Sequence, residues 1–344
     1  KKIVGGHETA QWGVTVFVER KLPLSEIAIA IPASLRVGLS TVPTDVIQTG
    51  VIKAYDAGDR KLWHPIVDGG ISMGHRLVTA GTLGGFVRHR TRPETIVLTN
   101  NHVGAATNQG VHGDRWYNPG PFDQGTSPGV DPPLDTAFAQ LFDFEFIQFR
   151  GQPDQCSAAR GVVAILNFGV QLMNFLIWGP LDKLFGTGYS VTKFIAQDDD
   201  PVNVIDAAIG TLDREDKFSN KLLDAENKPT IKVPGTAKFK VGDLVAKSGR
   251  TTEWTDFGIV FAVDGILEIE YGPVKIAIFK QQVLTRNASE SDLREFSAPG
   301  DSGSWILKKD THELGALLFA GGDNLTVGNP IDEVFSRLDI VGVA

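Results

Sequence analysis

From Gly70 onward the sequence is a succession of short apolar runs separated by Gly, Asn and Pro. Runs of this kind are typical of the strands of a β-barrel or β-sandwich, in which each strand is brief and each turn needs tight backbone angles. The chain as a whole contains 38 Gly and 18 Pro but only 4 Tyr, which favours the same interpretation. We therefore predict a mainly β protein.

At 344 residues the chain is long enough for two or three domains. We predict a first barrel over residues 70–215 and a second barrel with a C-terminal helix over residues 216–344. Candidate strands of the first barrel are Leu77–Val87, Thr95–Thr99, Gly113–Tyr117, Asp135–Gln148 and Val204–Leu212, together with one strand before them. Candidate strands of the second are Phe239–Ala246, Trp254–Val263, Ile266–Tyr271, Val274–Phe279, Ser304–Leu307 and Leu314–Ala320, and a helix follows Pro330.

Residues 1–69 have a different pattern, which reads strand, helix, strand. The strands are predicted at Val14–Val18 and Val42–Ile52, and the short helix begins after Pro23 and stops at Pro32. This pattern predicts a small N-terminal α/β unit.

The composition excludes several functions. The chain has 33 Lys and Arg residues and 41 Asp and Glu residues, which gives a net charge of 33 minus 41, or −8. Nucleic acid is therefore not an expected partner. Cys156 is the single cysteine, which rules out an internal disulfide, suits a reducing compartment and predicts a cytoplasmic location. None of the 7 His belongs to a His-Glu-x-x-His motif or a Cys/His cluster, so we predict no cofactor and no metal site.

A helical insertion is predicted at about residues 155–185, between the last two strands of the first barrel. Its apolar run from 161 to 178 is interrupted by Asn167, Gln171 and Asn174, whose spacing puts them on one stripe of a helix. We interpret it as an amphipathic helix that packs on the fold or forms a homo-oligomer contact. Attachment to a membrane is the less favoured alternative.

The run Ala298-Pro299-Gly300-Asp301-Ser302-Gly303-Ser304 has the features of a nucleophile loop. Hydrolysis by serine needs an exposed hydroxyl, a base, an acid that orients the base, and backbone donors for the oxyanion. Gly300 and Gly303 permit a tight turn that directs the amides of Gly300 and Ser302 to one point beside the Ser302 hydroxyl. Because an apolar strand, Trp305-Ile306-Leu307, follows, the segment resembles the nucleophile loop of the chymotrypsin-like serine proteases.

A second segment, Leu98-Thr99-Asn100-Asn101-His102-Val103, resembles the one that carries the histidine of that family, at the end of a strand. The resemblance implies a chymotrypsin-like double β-barrel with its active site in the cleft between the barrels. It further implies a serine endopeptidase acting on protein or peptide substrates, with His102 as the base and Ser302 as the nucleophile. The alternative is a non-catalytic peptide-binding or assembly protein on the same fold.

Two aspartates are candidates for the acid, Asp135 and Asp206, because each precedes an apolar strand. In the chymotrypsin-like fold, two strands separate the histidine loop from the aspartate, which opens the last strand of the first barrel. The predicted strands at Gly113–Tyr117 and Asp135–Gln148 are those two, so we favour Asp206, and the helical insertion accounts for the long spacing. Asp135 is then a turn residue before a strand.

A closer resemblance, over most of the chain, is to the bacterial trypsin-like peptidases related to the plant NARROW LEAF proteins. In those relatives the segment equivalent to Asn203–Ala208 carries the acid, which agrees with the strand count. The matching runs are Val16–Pro23, Pro43–Ile47, Thr79–Gly84, Asn100–Val103, Asn118–Asp123, Gly249–Thr252 and Gly300–Ser304.

The resemblance also implies where substrate binds. Phe296 falls near the base of the primary specificity pocket, its wall falls on Phe319-Ala320-Gly321, and the strand from Leu317 to Gly321 pairs with the substrate main chain. We expect an uncharged, apolar residue before the scissile bond, because a buried charge here lacks a partner. Glu295 and Asp292 are close enough in sequence to supply a carboxylate if the loop shifts.

The run Lys2-Ile3-Val4-Gly5-Gly6 resembles the activation site of trypsinogen, where a freed isoleucine amine pairs with the aspartate before the serine, here Asp301. However, a small α/β unit stands between Ile3 and the first barrel. We therefore interpret this run as a loop before the first strand.

Overall fold

The computed structural model describes residues 59–150 and 201–344, except 214–216, 273–274, 290–291, 293 and 323, together with 3–4, 7–8, 13–18, 21–23, 25, 27, 30–38 and 40–48. The chain divides into two compact units, Lys1–Asp56 and Ala57–Ala344. The boundary thus falls earlier than residue 69, where the sequence placed it. The side chain of Arg60 is fully buried in the second unit, where its guanidinium donates to Ser248 Oγ and to the carbonyl of Gly249.

The first unit contains short strands. In one sheet the strand Ser40–Gln48 is central. It pairs in parallel with Val14–Val18 and antiparallel with Ser34–Val37. Parallel pairing needs a crossover connection, as the predicted strand, helix, strand pattern requires. Of residues 24–31, where the helix was predicted, the structure describes 25, 27, 30 and 31, and none of these four lies in an α-helix. The strands are β1 (Ile3–Val4), which pairs with β2 (His7–Glu8), and β3 (Val14–Val18), β4 (Ser34–Val37) and β5 (Ser40–Gln48), with β3 parallel to β5.

The second unit begins with the strands of the first predicted barrel. They are β6 (Val67–Gly69), β7 (Ser72–His75), β8 (Gly81–Thr82), β9 (Gly85–His89), β10 (Thr95–Thr99), β11 (Arg115–Tyr117), β12 (Ala137–Phe144), β13 (Val202–Asn203) and β14 (Ala208–Leu212). A short helix, α1 (Asn101–Gly104), follows β10, and 3₁₀ turns occupy Asp59–Lys61, Pro121–Gln124 and Leu134–Thr136.

Strands β7 to β12 and β14 form a curled antiparallel sheet in the order β9-β10-β14-β12-β11-β7-β8. The sheet closes on itself because β8 leads directly into β9 through Leu83 and Gly84. The amide of Leu83 donates to Ile71 on one side and the amide of Gly84 donates to Leu98 on the other. The result is a closed barrel.

The remaining strands are β15 (Phe218–Leu223), β16 (Pro229–Ile231), β17 (Leu244–Gly249), β18 (Glu253–Glu270), β19 (Ile276–Asn287), β20 (Trp305–Lys308), β21 (Leu314–Gly322), β22 (Leu325–Pro330) and β23 (Ile340–Val343), with α2 (Ile331–Arg337) between the last two. Strands β15 and β16 form a separate sheet with β6, and β23 pairs with β9, so the second barrel consists of β17 to β22. The ring runs β19-β18-β17-β20-β21-β22 and is closed by pairing of β22 with β19. The prediction of a mainly β, double-barrel fold is confirmed.

Strands at which the two barrels meet are buried on both faces. Successive side chains of a strand point to opposite faces, so each such strand contributes to the interior of its own barrel and to the layer between the barrels. On β10, Val97 packs inside the first barrel, while its neighbours Ile96 and Leu98 face the other way. On β20, Ile306 packs inside the second barrel, while Trp305 faces Ile96 and Leu98. One apolar layer therefore joins the barrels and supports the cleft above it.

Several strands differ from the predictions. The strands predicted on either side of residue 264 are one strand, β18, with a bulge at Asp264-Gly265, where Asp264 has φ +59° and the register against β19 shifts. The Asp-Gly pair has the signature of a hairpin turn, but here it inserts extra residues into a continuous ladder. Strands β15, β16, β22 and β23 were not predicted, and β23 returns to the first barrel by pairing with β9.

The helix predicted after Pro330 is present as α2. The helical insertion predicted at about 155–185, including the 161–178 run, lies outside the described residues. Among the residues that the structure describes, none of the helices has the length and apolar character that crossing a bilayer demands.

Candidate active site

His102 lies at the end of β10, in the short helix α1, and its side chain is 23% exposed at the cleft. The helical turn is held from beneath by Asn101, whose side-chain amide donates to the carbonyl of Glu145 at 2.7 Å and to Asn108 Oδ1 at 2.7 Å. A buried asparagine therefore anchors the turn, and the neighbouring histidine is left to point into the cleft.

Asp206 lies in an extended segment two residues before β14, and its side chain is fully buried. Its Oδ2 lies 2.6 Å from His102 Nδ1, and its Oδ1 accepts the backbone amide of His102 at 3.1 Å. A carboxylate on Nδ1 leaves the other ring nitrogen, Nε2, available as a base. The structure thus brings Asp206 to His102.

Asp135, the alternative acid, is exposed and lies in the 3₁₀ turn Leu134–Thr136 before β12. The strand count placed it in a turn before a strand, which is where the structure has it. It makes no contact with His102.

Buried amide side chains fix the segment that carries Asp206. Asn100 Nδ2 donates to the Asp206 carbonyl at 2.8 Å, and the Asp206 amide donates to Asn329 Oδ1 at 3.0 Å. Asn329 Nδ2 donates in turn to Gln282 Oε1, and Gln282 Nε2 donates to the carbonyl of Val204 at 2.7 Å. Because Gln282 and Asn329 belong to β19 and β22, the second barrel holds the acid of the first.

The nucleophile loop, Ala298–Ser304, directly precedes β20, and Ser302 in this loop is partly exposed. Ser302 Oγ donates to the carbonyl of Phe319 at 3.3 Å. Within the described part of the chain, neither ring nitrogen of His102 is hydrogen-bonded to Ser302. The structure therefore places Ser302 and His102 at one cleft without a direct hydrogen bond between them.

Two positions in this loop require glycine. Gly300 has φ +99°, and a Cβ there would lie 2.4 Å from Arg250 Nη1. Gly303 also has φ +99°, and a Cβ there would lie 2.1 Å from the carbonyl oxygen of Thr82. Side chains at either position would push the loop away from its neighbours.

The amides of Gly300 and Ser302 donate to no acceptor among the described residues. The amides between and after them are used, since Asp301 donates to Ala298 and Ser304 donates to Asp301. Two free donors beside the Ser302 hydroxyl form the kind of site that binds a developing oxyanion.

Thr82 of β8 holds the loop from the first barrel. Its backbone amide donates to the carbonyl of Ser302 at 2.7 Å, and its hydroxyl donates to the carbonyl of Gly300 at 2.9 Å. The same hydroxyl accepts the amide of Arg250 at 3.0 Å. The carbonyls of Gly300 and Ser302 are therefore occupied, whereas the amides of the same two residues donate to no acceptor among the described residues.

Asp301 is buried beneath the loop and points away from the cleft. Its carboxylate accepts the amides of Thr251 at 2.7 Å and Ala298 at 3.0 Å and the hydroxyl of Thr252 at 2.7 Å, and it lies 3.2 Å from Lys247 Nζ. Burial alone raises the pKa of Asp301, but Lys247 and these hydrogen bonds outweigh it and lower the pKa overall. The carboxylate therefore stays ionised and keeps its partners.

Arg250 forms a second ion pair behind the loop, to Asp123 of the first barrel. Arg250 Nε donates to Asp123 Oδ2 at 2.6 Å, and Arg250 Nη2 donates to Asp123 Oδ1. This is the bidentate geometry of a strong arginine–carboxylate pair. Arg250 Nη1 also donates to Thr251 Oγ1 at 3.0 Å, and the amide of Thr251 donates to Asp301. The ion pair therefore connects the segment that holds Asp301 to the first barrel.

Two adjoining cavities, each of about 560 Å³, flank the site. The first is lined by His102, Leu267, Tyr271 and Phe319, and the second by Ser302 and Phe296. Ala320 and Gly321 line both cavities. The residues that the resemblance assigned to substrate binding are thus brought to one cleft.

An open strand edge runs along this cleft. Strand β21 pairs with β20 as far as Leu317 opposite Trp305, and Leu318 still exchanges hydrogen bonds with Gly303 and Ser304. Among the described residues, no strand pairs with β21 on this side beyond Leu318. The edge from Phe319 to Gly322 can therefore accept an extended peptide.

Sequence reasoning missed Lys247 and Tyr271, whose hydroxyl donates to Asp206 Oδ2 at 2.7 Å, and it included Thr82 only within the matching run Thr79–Gly84. A lysine inside an otherwise apolar strand pattern was a signal for Lys247, because such a charge needs a buried partner. Arg250 and Asp123 were quoted within matching runs, but their contact with each other was not foreseen.

No family model and no curated protein matches the chain. Solved structures similar to it include a Nocardiopsis protease (TM-score 0.45, 14% identity, covering 81% of this chain and 99% of that one) and a Cellulomonas bogoriensis chymotrypsin (0.43, 13%, 80% and 96%). A glutamic acid specific serine protease, described as using a histidine triad in substrate binding, has a TM-score of 0.46 at 16% identity and covers 81% and 100%. The names of these neighbours are those of proteases, and each is at most 16% identical to this chain.

Proposed function

We propose that this chain is a serine endopeptidase that hydrolyses peptide bonds through an acyl-enzyme. The observation that carries the proposal is the buried carboxylate of Asp206 held 2.6 Å from His102 Nδ1, at the cleft that also contains Ser302. A carboxylate, an imidazole and a serine in this order are the parts of a proton-transfer unit for acyl transfer.

In the first half-reaction, Ser302 Oγ attacks the carbonyl carbon of the substrate while its proton passes to His102 Nε2. The amides of Gly300 and Ser302 stabilise the oxyanion of the tetrahedral intermediate. The carbon–nitrogen bond then breaks, His102 gives its proton to the leaving amine, and Ser302 is left as an ester. Asp206 holds the tautomer of His102 and stabilises the imidazolium.

In the second half-reaction, water loses a proton to His102 and attacks the ester, and Ser302 regains its proton as the acid product leaves. For the first step, Ser302 must exchange its hydrogen bond to the Phe319 carbonyl for one to His102. Catalytic hydrogen bonds are often long without substrate and tighten when it binds. The substrate backbone pairs with the open edge at Phe319, Ala320 and Gly321.

The proposal extends to the subgroup, the bacterial trypsin-like peptidases related to the plant NARROW LEAF proteins. Two runs that match this subgroup, Asn118–Asp123 and Gly249–Thr252, meet through the Arg250–Asp123 ion pair behind the nucleophile loop. A cytoplasmic location and a homo-oligomer contact through the 161–178 helix belong to the same proposal.

A non-catalytic peptide-binding protein on this fold is the second candidate. The observation that favours it is the hydrogen bond from Ser302 Oγ to Phe319 rather than to His102. In that case the cleft binds a peptide without cleaving it, and the N-terminal unit serves assembly.

Labelling with a fluorophosphonate separates the two functions, because the probe reacts only with an activated serine. We expect the wild-type protein to be labelled at Ser302, and the Ser302→Ala and His102→Ala variants to remain unlabelled. Asp332→Asn, an exposed change on α2, is the matched control and should be labelled like the wild type. Absence of label on folded wild-type protein would favour the peptide-binding alternative.

A further inference from the structure

Tyr271 follows the last residue of β18 and reaches the acid of the first barrel from the second. Its hydroxyl donates to Asp206 Oδ2 at 2.7 Å. The same carboxylate oxygen lies 2.6 Å from His102 Nδ1. Two donors, one from each barrel, therefore meet at one oxygen atom.

The balance of donors around Asp206 gives this contact its importance. A fully buried carboxylate is costly unless hydrogen bonds compensate for lost water. His102 supplies its ring nitrogen to Oδ2 and its backbone amide to Oδ1. Among the described residues, Tyr271 is the one donor to this carboxylate that does not belong to His102.

The ring of Tyr271 is held in place by other aromatic rings. Its centroid lies 5.5 Å from that of Phe149 and 6.3 Å from that of Phe279, and 6.0 Å from the imidazole of His102, at an interplanar angle of 73°. The backbone amide of Tyr271 donates to the carbonyl of Lys275 at 2.8 Å. Contacts of the ring and of the backbone thus support the hydrogen bond from the Tyr271 hydroxyl to Asp206.

The phenol keeps its proton at any pH at which a peptidase works. Burial, and then the negative charge of Asp206, raise the pKa of Tyr271 well above its usual value of 10.0. Toward Asp206 the hydroxyl therefore acts as a donor.

We propose that Tyr271 is a positioning residue, whose hydroxyl orients the carboxylate of Asp206 toward His102 and disperses its negative charge. The inference rests on the proposed peptidase function and adds a condition to it. Asp206 holds His102 in the orientation needed for proton transfer only when the β18–β19 hairpin of the second barrel packs against the first barrel.

Other charged groups face this part of the cleft. Glu268 and Glu270 line the cavity that contains His102, and Glu268 accepts a hydrogen bond from Arg150 at 2.9 Å. Lys275 lies 5.3 Å from the ring centroid of Phe149. Replacing Tyr271 by Phe leaves all four in place, so a difference between that variant and the wild type reports the hydroxyl.

Removal of the Tyr271 hydroxyl should change the pH dependence of kcat/KM in one direction. In Tyr271→Phe the charge of Asp206 is concentrated on the oxygen that faces His102 Nδ1, which stabilises the imidazolium form of that ring. Because the base acts in its neutral form, the acid limb of kcat/KM moves to higher pH. We expect kcat to fall about ten-fold, because the carboxylate of Asp206 no longer holds the imidazole in one orientation, with KM close to that of the wild type.

The experiment compares the wild type, Tyr271→Phe and Tyr117→Phe. Tyr117 is buried in β11 of the first barrel, so the control makes the same chemical change away from Asp206. Two readouts are taken, the pH profile of peptide hydrolysis and the titration of the His102 ring followed by NMR, which needs no turnover. Thermal unfolding checks that both variants are folded.

A higher His102 pKa in Tyr271→Phe, absent in Tyr117→Phe, supports the inference. An unchanged His102 pKa and an unchanged acid limb in folded Tyr271→Phe would overturn it, as would equal shifts in both variants. If the wild type hydrolyses no peptide and takes no fluorophosphonate, the proposed function fails. The NMR titration then still decides whether Tyr271 acts on the Asp206–His102 pair.

Discussion

Lys247 Nζ lies 3.2 Å from Asp301 Oδ2, and both side chains are completely buried. Asp301 stands between the two residues whose amides face the cleft, so this ion pair sets the conformation of the nucleophile loop. In trypsinogen-like activation a freed amine would supply the positive charge. Here an internal lysine on β17 supplies it. The interpretation of Lys2–Gly6 as a loop before the first strand was wrong, because Ile3–Val4 is strand β1.

The first prediction concerns this pair. Lys247→Met leaves the charge of Asp301 buried without its cation, and breaking a buried pair costs about 3–5 kcal/mol. We expect a large fall in the free energy of unfolding and a loss of fluorophosphonate labelling at a temperature where the variant is still folded. Lys309→Met is the control, because Lys309 pairs with Asp256 at the surface, 3.3 Å away. Equal stability and labelling for both variants would show that the buried pair does not support the loop.

The second prediction concerns Ser302 and His102 as one unit. Each single variant, Ser302→Ala or His102→Ala, should abolish peptide hydrolysis, and the double variant should be no slower than either. Residues that act in one proton transfer show this lack of additivity, because removal of one makes the other useless. Steady-state kinetics on a peptide library measure it. Single variants that turn over near the wild-type rate would end the assignment.

The third prediction separates the two candidate acids. Asp206→Asn keeps the size of the side chain but favours the wrong tautomer of His102, so the rate should fall about 10⁴-fold. Asp135→Asn changes an exposed turn residue and should leave the rate within about two-fold. The opposite ranking of kcat for these two variants would contradict the proposed role of Asp206.

The parts of the site that the sequence predicted are those with a local signature. Gly300 and Gly303 frame Ser302 because their φ angles exclude other residues, and the end of β10 places His102. Counting strands favoured Asp206 over Asp135, in agreement with the 2.6 Å contact to His102. The inferences on Ser302 and His102 depend on the chain within a few residues of each motif, whereas the inference on Asp206 depends on the order of the strands along the chain.

The parts that could not be predicted depend on contacts between distant segments. Tyr271 and Lys247 act on Asp206 and Asp301 only because the barrels are closed, and a tyrosine or lysine alone carries no sign of its partner. Pairing of β23 with β9 is of the same kind, since the two segments lie at opposite ends of the second unit. The prediction of two separate strands around Asp264-Gly265 was wrong for a different reason. An Asp-Gly dipeptide occurs both in hairpin turns and in β-bulges, so its presence does not distinguish them.

The last prediction is that the peptidase prefers an uncharged residue before the scissile bond. The cavity beside Ser302 is lined by Phe296, which is buried, while its two charged lining residues, Arg286 and Glu295, are exposed. Asp292, the other carboxylate considered for the pocket, is held by Arg294 at 2.6 Å and does not line the cavity.

A charged side chain that enters this cavity meets one exposed charge of each sign and no buried counterion. Burying it without a fixed partner costs several kcal/mol, whereas an apolar side chain gains from contact with the Phe296 wall. Profiling with peptides that vary only at this position measures the preference, and Glu295→Gln serves as the matched variant. We expect the same apolar preference in both proteins. If the wild type cleaved mainly after Arg or Lys and Glu295→Gln lost that cleavage, Glu295 would be the pocket's counterion and the prediction would be wrong.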